Sequence, residues 1–306
     1  MSNREIKDLP ASVHRRLLNK TRDEGRPFNE LLQYYAMERF LYRLSKSPYS
    51  REFILKGALM LMAWNAPISR PTSDIDLLGN VENDVDAIVS LMKEICMQEV
   101  EPDGLVFDAD TVTGEVIAEV AEYQGVRVGV RGNLGPARVN VQLDVGFGDP
   151  VVPSPVQFAY PVLLDMPVPR LRGYSRESMI AEKLESMARF GMLNSRMKDF
   201  FDIWLLSRQY DFDGKTLEMA VDKTFTNRGT EASPELIALM GDFSKDKAKS
   251  TQWRAFRRKN RLDLVPIDLA EVVTSIVKFV GPVLSAIEGG GSLSSTWAPP
   301  GPWKRD

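Results

Sequence analysis

Two aspartates separated by one residue, Asp74 and Asp76, lie in the segment Ser73-Asp74-Ile75-Asp76-Leu77. In an extended chain successive side chains point to opposite faces, so the two acids share one face while Ile75 and Leu77 take the other. Their Cβ atoms are then roughly 6 to 7 Å apart, from the rise of a strand, and their oxygens can converge on a hard divalent cation such as Mg²⁺. The run from Val139 to Val145 alternates in the same way, with Val139, Val141, Leu143 and Val145 on one side and Asn140, Gln142 and Asp144 on the other. Asp144 is the one acid of that run. Three carboxylates on neighbouring strands suit phosphoryl or nucleotidyl transfer, where one ion serves the attacking oxygen and a second the leaving group. Spacing by itself leaves a generic acidic pair open, because Asp-x-Asp is common in proteins.

Other residues near the pair could serve a nucleotide. Lys56-Gly57 precedes an apolar run and forms a turn whose backbone N–H groups and lysine suit a phosphate. Arg70 either neutralises phosphate charge or is an exposed turn arginine. Ser73 either hydrogen-bonds a nucleotide or ends a turn.

The elements that must hold these residues follow from pattern. Residues from Pro10 to Ser47 read as two helices, the second with Leu31, Leu32, Tyr35, Met37, Phe40, Leu41 and Leu44 at helical period and Arg39, Arg43 and Lys46 opposite. A short strand or turn entering a helix covers Phe53 to Trp64, the acidic strand follows Arg70-Pro71, and a helix spans about Asp84 to Val100. Strands are expected at Gly104 to Asp108, Val126 to Val130 and Val139 to Val145. After a proline-rich connector from Pro150 to Pro169 the chain reads as helices: Arg176–Phe190, Arg196–Arg208, Gly214–Thr224, Glu235–Lys245, Thr251–Lys259 and Ile267–Leu284. A mixed α/β first half and a helical second half result. The expected organisation is an N-terminal helical cap (1–50), a core (51–170), a helical domain completing the active site (171–287) and a disordered Gly/Ser/Pro-rich tail (288–306).

Composition narrows the chemistry. With 306 residues, 43% hydrophobic and 26% charged, the chain can build a sizeable core. A net charge of -3 offers no global basic field, so contact with nucleic acid requires a local patch. One cysteine, Cys96, and one histidine, His14, exclude a disulfide framework and a Cys/His zinc site within the chain. His14 reads as part of a solvated helix face and Cys96 as core, so Ser-His-Asp or Cys-His catalysis is not expected. No stretch reads as the roughly 20 apolar residues of a membrane span, and a cytoplasmic location is expected.

The run Leu55-Lys56-Gly57-Ala58, with Arg70-Pro71-Thr72-Ser73-Asp74-Ile75-Asp76-Leu77, resembles the first motif of the AbiEii/AbiGii nucleotidyltransferase toxins, the family that includes the MenT toxins. The runs Ile180-Ala181-Glu182-Lys183-Leu184-Glu185-Ser186-Met187 and Asn194-Ser195-Arg196-Met197-Lys198-Asp199-Phe200-Phe201-Asp202 resemble its later motifs. The resemblance implies a DNA polymerase β-like nucleotidyltransferase fold, an α+β core with a mixed sheet. It implies that Asp74, Asp76 and Asp144 bind two Mg²⁺ ions, that Lys183 contacts the NTP and that Asp199 supports the site. It further implies transfer of an NMP from an NTP, in some relatives onto the 3′ end of tRNA, by the toxin of a toxin–antitoxin or phage-defence (abortive infection) system, with an antitoxin encoded nearby. The family often has a second glycine and a small hydroxyl residue after the lysine; Ala58 and Leu59 stand here, leaving phosphate binding to backbone N–H groups and Lys56.

The residues themselves admit further readings. Lys183 lies beside the apolar stripe Met179, Ile180, Leu184 and Met187, from where its stem can reach a cleft; the alternative is a solvated lysine paired with Glu182 or Glu185. Asp199 falls in a first helical turn, which favours an acid whatever its role, and Asp202 one turn on is equally placed. The stretch Lys245 to Arg261 is the most basic of the chain, with Arg254, Arg257, Arg258 and Lys259 interleaved with Trp253 and Phe256. It suits phosphate tracking with aromatic stacking on RNA, or is a solvated helix face. Two other readings remain: the same chemistry on a protein hydroxyl or small molecule, and an inactive nucleotide-binding member, against which the intact Asp74, Asp76, Asp144 and Lys183 argue.

Overall fold

A computed structural model describes residues 8–66, 70–118 and 124–305; residues 1–7 of the expected cap and residue 306 of the expected tail lie outside them. Two compact units result. The first draws on Met1–Asn65, Pro71–Gly148 and Val156–Gly173, the second on Ala66–Arg70, Asp149–Pro155 and Tyr174–Asp306.

In the first unit, helix α1 (Leu9–Glu24) starts where the Asp8 carboxylate accepts the Ala11 N–H, and α2 (Phe28–Lys46) follows. Then come β1 (Phe53–Lys56), α3 (Leu59–Ala63), β2 (Asp74–Gly79), α4 (Val85–Met97), β3 (Leu105–Ala118), β4 (Gln124–Leu134), β5 (Ala137–Phe147), β6 (Val156–Ala159) and β7 (Arg170–Gly173). The strands form one mixed sheet in the order β3-β4-β5-β2-β1-β7-β6, with β2–β5 and β1–β7 parallel and the other pairings antiparallel. Alternation makes one face apolar: Val126, Val145, Leu77 and Leu55 fall in one cross-strand row and are all buried. The opposite row reads Glu115, Arg127, Asp144, Asp76 and Lys56.

Two sequence expectations change in this unit. Strand β3 runs through 14 residues rather than five, because past a register shift between Asp108 and Thr113 the residues from Thr113 to Ala118 resume the pairing with β4. On α2, Arg39 and Arg43 are buried, where a polar face had been expected. Arg39 lies 2.7 Å from Glu38 and donates to the Pro167 carbonyl, while Arg43 grips Asp103 through both terminal nitrogens (2.7 and 3.2 Å). Over its middle turns the helix has no solvated face to give these charges, so they are paired instead, whereas Lys46 at its end is exposed.

The second unit is mainly helical: α5 (Arg176–Phe190), α6 (Met197–Gln209), β8 (Phe212–Asp213), α7 (Gly214–Asn227), α8 (Gly241–Lys245), α9 (Lys247–Lys259), α10 (Leu269–Glu288), β9 (Ser295–Trp297) and β10 (Trp303–Arg305). Side-chain caps start α5 (Ser175 accepting from Ser178), α7 (Asp213 from Thr216) and α9 (Asp246 from Lys249). The helix expected over Glu235–Lys245 is instead a 3-10 turn, Ile237–Leu239, and the short α8, separated at Met240 by extended backbone (ψ 160°). Helix α10 corrects a second expectation: its 20 residues are long and apolar enough to cross a membrane. One apolar side packs inward, with Val272, Ile276, Phe279, Val280 and Val283 inaccessible and the helix resting on α6 and α7, while Val277 is exposed.

The stretch expected to be a disordered tail is ordered over the described residues. Strand β9 pairs with β8 and β10, and Trp297 and Trp303 pack against Phe279 with ring centroids 4.8 and 5.8 Å away. Both indole N–H groups are bonded, Trp297 to the Ser207 carbonyl (2.6 Å) and Trp303 to the Phe279 carbonyl (2.8 Å). Two tryptophans outweigh a composition rich in glycine, serine and proline, because each large ring gains more by burial than a few ordered residues lose.

Candidate active site

The polar face of the first unit brings Asp74, Asp76 and Asp144 together. Asp76 lies opposite Asp144 across the parallel β2–β5 pair, and Asp74 is two residues away on the same face. One carboxylate oxygen from each lies within 4.8 Å of the others, and all three residues are half-buried. Like charges held this close repel one another unless a cation is shared among them. All the converging donors are carboxylate oxygens, which suits a hard divalent ion and gives no soft ligand for zinc.

Neighbouring residues fix the approach. The Tyr34 hydroxyl accepts the Thr72 N–H (3.0 Å), and the Thr72 hydroxyl donates a short hydrogen bond to Asp74. The Gln33 side-chain amide donates to the carbonyls of Ser73 and Asn140, both at 3.0 Å, tying α2 to the start of β2 and to β5. Lys56 stands opposite Asp76 on β1. Gly57 follows with φ +69°, a conformation that side chains resist, and a Cβ there would overlap the Asp76 carboxylate. The turn read as a phosphate cradle is thus also the surface against which Asp76 lies.

Arg127 belongs to this cluster and was not singled out in the sequence. It faces Asp144 across β4–β5 and donates to both of its oxygens (2.8 and 2.7 Å), a bidentate pair. This hydrogen bonding to Asp144 raises the arginine's pKa further. Its signal was the alternation Val126-Arg127-Val128, which puts it on the polar face, but its partner follows only from the register.

Lys183, Asp199, Asp202 and Arg70 form a separate cluster in the second unit. The Lys183 ammonium lies 3.1 Å from Asp199 and 2.6 Å from Asp202; Arg70 binds Asp202 through two nitrogens at 2.9 Å, and Arg196 binds Asp199 at 2.8 Å. Both aspartates are wholly inaccessible and Arg70 is buried, so the reading of Arg70 as an exposed turn arginine is corrected. Burial alone would raise the aspartates' pKa values. The facing cations outweigh it, lowering Asp202 to about 2, chiefly through Arg70 and Lys183, and lowering Asp199 through Lys183 and Arg196. Lys183 is raised: burial would lower it, but Asp202 and Asp199 prevail. The reading in which Lys183 pairs with Glu182 or Glu185 gives way to these aspartates.

The basic stretch lies on and just beyond α9. Arg254, Arg258 and Lys259 are exposed, whereas Arg257 donates to the Leu262 carbonyl (3.1 Å). Trp253 is inaccessible, bonded to the Pro266 carbonyl, and Phe256 packs against it and Phe201. The expected interleaving of cations with stacking aromatics is therefore corrected: Trp253 belongs to the core.

Comparisons with known proteins agree with the motifs. The sequence model of the family described as nucleotidyl transferase AbiEii toxin, type IV toxin–antitoxin system, matches residues 39–275. No curated protein matches. Two solved structures are similar to the chain. One is JHP933 from Helicobacter pylori, 16% identical, covering 85% of this chain and 94% of that one with a TM-score of 0.45. The other is an H. pylori protein provisionally assigned as a nucleotidyltransferase, 16% identical, covering 85% and 96% with a TM-score of 0.44. With more than half of its length matched by that family, the chain belongs to the AbiEii nucleotidyltransferase toxins of type IV toxin–antitoxin systems.

Proposed function

We propose that this nucleotidyltransferase transfers an NMP from an NTP to the 3′ end of a tRNA, using Mg²⁺, and that it acts in the cytoplasm under the control of a cognate antitoxin encoded nearby. The observation that carries the reading is the convergence of Asp74, Asp76 and Asp144 within 4.8 Å. In the transfer an acceptor hydroxyl oxygen bonds to the α-phosphorus, the bond from that phosphorus to the β-phosphate oxygen breaks, pyrophosphate leaves and the hydroxyl proton goes to solvent. Mg²⁺, as two ions, supplies positive charge where the transferring phosphoryl group and its leaving oxygen carry negative charge.

The chain's own residues then have separable tasks. Asp74, Asp76 and Asp144 hold the metal, with Thr72 orienting Asp74 and Gly57 leaving room for Asp76. Lys56, Gly57 and Ser73 bind the nucleotide phosphates. Lys183 serves the triphosphate, held in place by Asp199 and Asp202, and Arg70 orients Asp202. The exposed Arg254, Arg258 and Lys259 meet the acceptor's backbone, with Arg257 bracing the helix end.

The test incubates purified protein with each α-labelled NTP, Mg²⁺ and total tRNA or cell extract, beside Asp76→Ala. Label entering RNA with the wild type alone is expected. Label entering only protein or a small molecule overturns the tRNA acceptor, and no label in any fraction overturns the activity. A charge reversal at Arg254 and Arg258 is expected to weaken RNA labelling by about threefold to tenfold at moderate salt; unchanged labelling removes α9 from the acceptor surface.

A further inference from the structure

Past the acids, the polar sheet face continues into a groove of about 440 Å³ lined wholly by first-unit residues, within the roughly 300 to 1,000 Å³ of small-molecule sites. Thr113, Gly129, Gln142 and Asp74 form one cross-strand row, so the groove shares its ladder with a carboxylate of the metal cluster.

Gly129 is the informative residue. It sits mid-strand in β4, where glycine weakens a sheet. Its φ is outside the left-handed region, and an added Cβ would meet only the Thr113 hydroxyl, at an ordinary 3.6 Å. Packing therefore does not require glycine here. Gly114, also at the groove, differs: a Cβ there would run into Val89 and Val85 of α4. The missing side chain at 129 leaves bare backbone as a floor that a flat ligand can approach closely.

The walls specify what kind of flat ligand. Arg127 is turned toward Asp144, which it grips through two nitrogens. Amides and hydroxyls make up most of the rest. The Asn140 carboxamide and Thr113 hydroxyl make no hydrogen bond among the described residues, and Gln142 reaches only Asp144, at 3.3 Å. Unengaged donors and acceptors around a bare floor match the hydrogen-bonding edge of a nucleobase.

We propose that this groove seats the nucleobase of one of the two reactants, with Gly129 as its floor and Asn140 reading its edge. The inference rests on the nucleotide-transfer reading above and names one of its substrate contacts. The incoming NTP and the acceptor's terminal nucleotide carry the same chemistry, and two ligand panels distinguish them.

Equilibrium binding of the four NTPs, and of four RNA trinucleotides differing only in the 3′ base, is measured for wild type, Gly129→Val and Asn140→Asp. Wild type is expected to prefer one base in one panel. Gly129→Val is expected to lose that panel's binding by about tenfold or more while its melting temperature holds or rises, a combination that simple misfolding does not give. Asn140→Asp, which exchanges a donor for an acceptor, is expected to change the preferred base. A shift in the NTP panel assigns the base to the donor nucleotide, and a shift among the trinucleotides assigns it to the acceptor. Wild type binding without base preference, or both variants binding like wild type, overturns the proposal. Should Gly129→Val melt early, Asn140→Asp, an exposed position, decides on the same readout. Failure of the transfer reading is seen separately, as base-selective binding without incorporation of label.

Discussion

The two clusters of charged residues use opposite electrostatics. On the sheet, three half-buried carboxylates crowd together, with Arg127 bound to Asp144 and Lys56 opposite Asp76. In the helical unit, two inaccessible aspartates are surrounded by Lys183, Arg70 and Arg196, every close contact joining opposite charges. The first arrangement gathers carboxylate oxygens within reach of a cation from outside. The second is satisfied from within, so each member depends on the others.

Substitution breaks the comparison if both clusters respond alike. The largest effect is expected from Asp76→Ala, which should lower nucleotide transfer by about 10³-fold while the protein still folds. Loss of folding in that variant would mean the triad is structural. Asp202→Ala should do the reverse and destabilise by about 3 to 5 kcal/mol, read by urea unfolding, because it takes from buried Arg70 its bidentate carboxylate and from Lys183 the nearer of its two. Little change in its unfolding midpoint would show that the network holds nothing together.

Acid sharpens the contrast at smaller amplitude. Asp202 titrates at about 2 rather than its ordinary 3.8, so the folded state holds the carboxylate ionised more strongly than the unfolded chain does. Its contribution, about 2 kcal/mol, is present above pH 4 and is lost as the pH falls through 2. Unfolding measured from pH 5 to pH 2 should show this slope in the wild type and lack it in Asp202→Asn. The smallest effect is expected at Arg127. Removing an ion pair that competes for Asp144 should lower the Mg²⁺ needed for half-maximal activity by about twofold to fivefold, the worth of a partly exposed pair. A higher requirement in Arg127→Ala would instead make the arginine an organiser of the metal site.

What was legible in the sequence followed local periodicity. Asp74, Asp76 and Asp144 were found from alternation, and α5 from its apolar stripe, at the observed bounds Arg176–Phe190. The rest depends on partners remote in sequence. Arg127 and Asp144 meet only through the β4–β5 register, and Arg70 and Asp202 are 132 residues apart. Local pattern also misleads where one residue has two uses. Trp253 among arginines reads as a stacking platform but fills a core, and Trp297 among glycines and prolines anchors a strand. Arg39 and Arg43 read as solvated because nothing nearby in sequence reveals Asp103 or the Pro167 carbonyl.

Gly57 and Asp76 form a single heritable unit. Any side chain at 57 must displace the carboxylate at 76, and once 76 has lost its acid, little keeps 57 as glycine beyond its backbone angle. Decay of activity in a lineage of such toxins should therefore leave its mark at both positions together. Alanine at 57 is therefore expected to lower transfer even where the aspartate at 76 is kept.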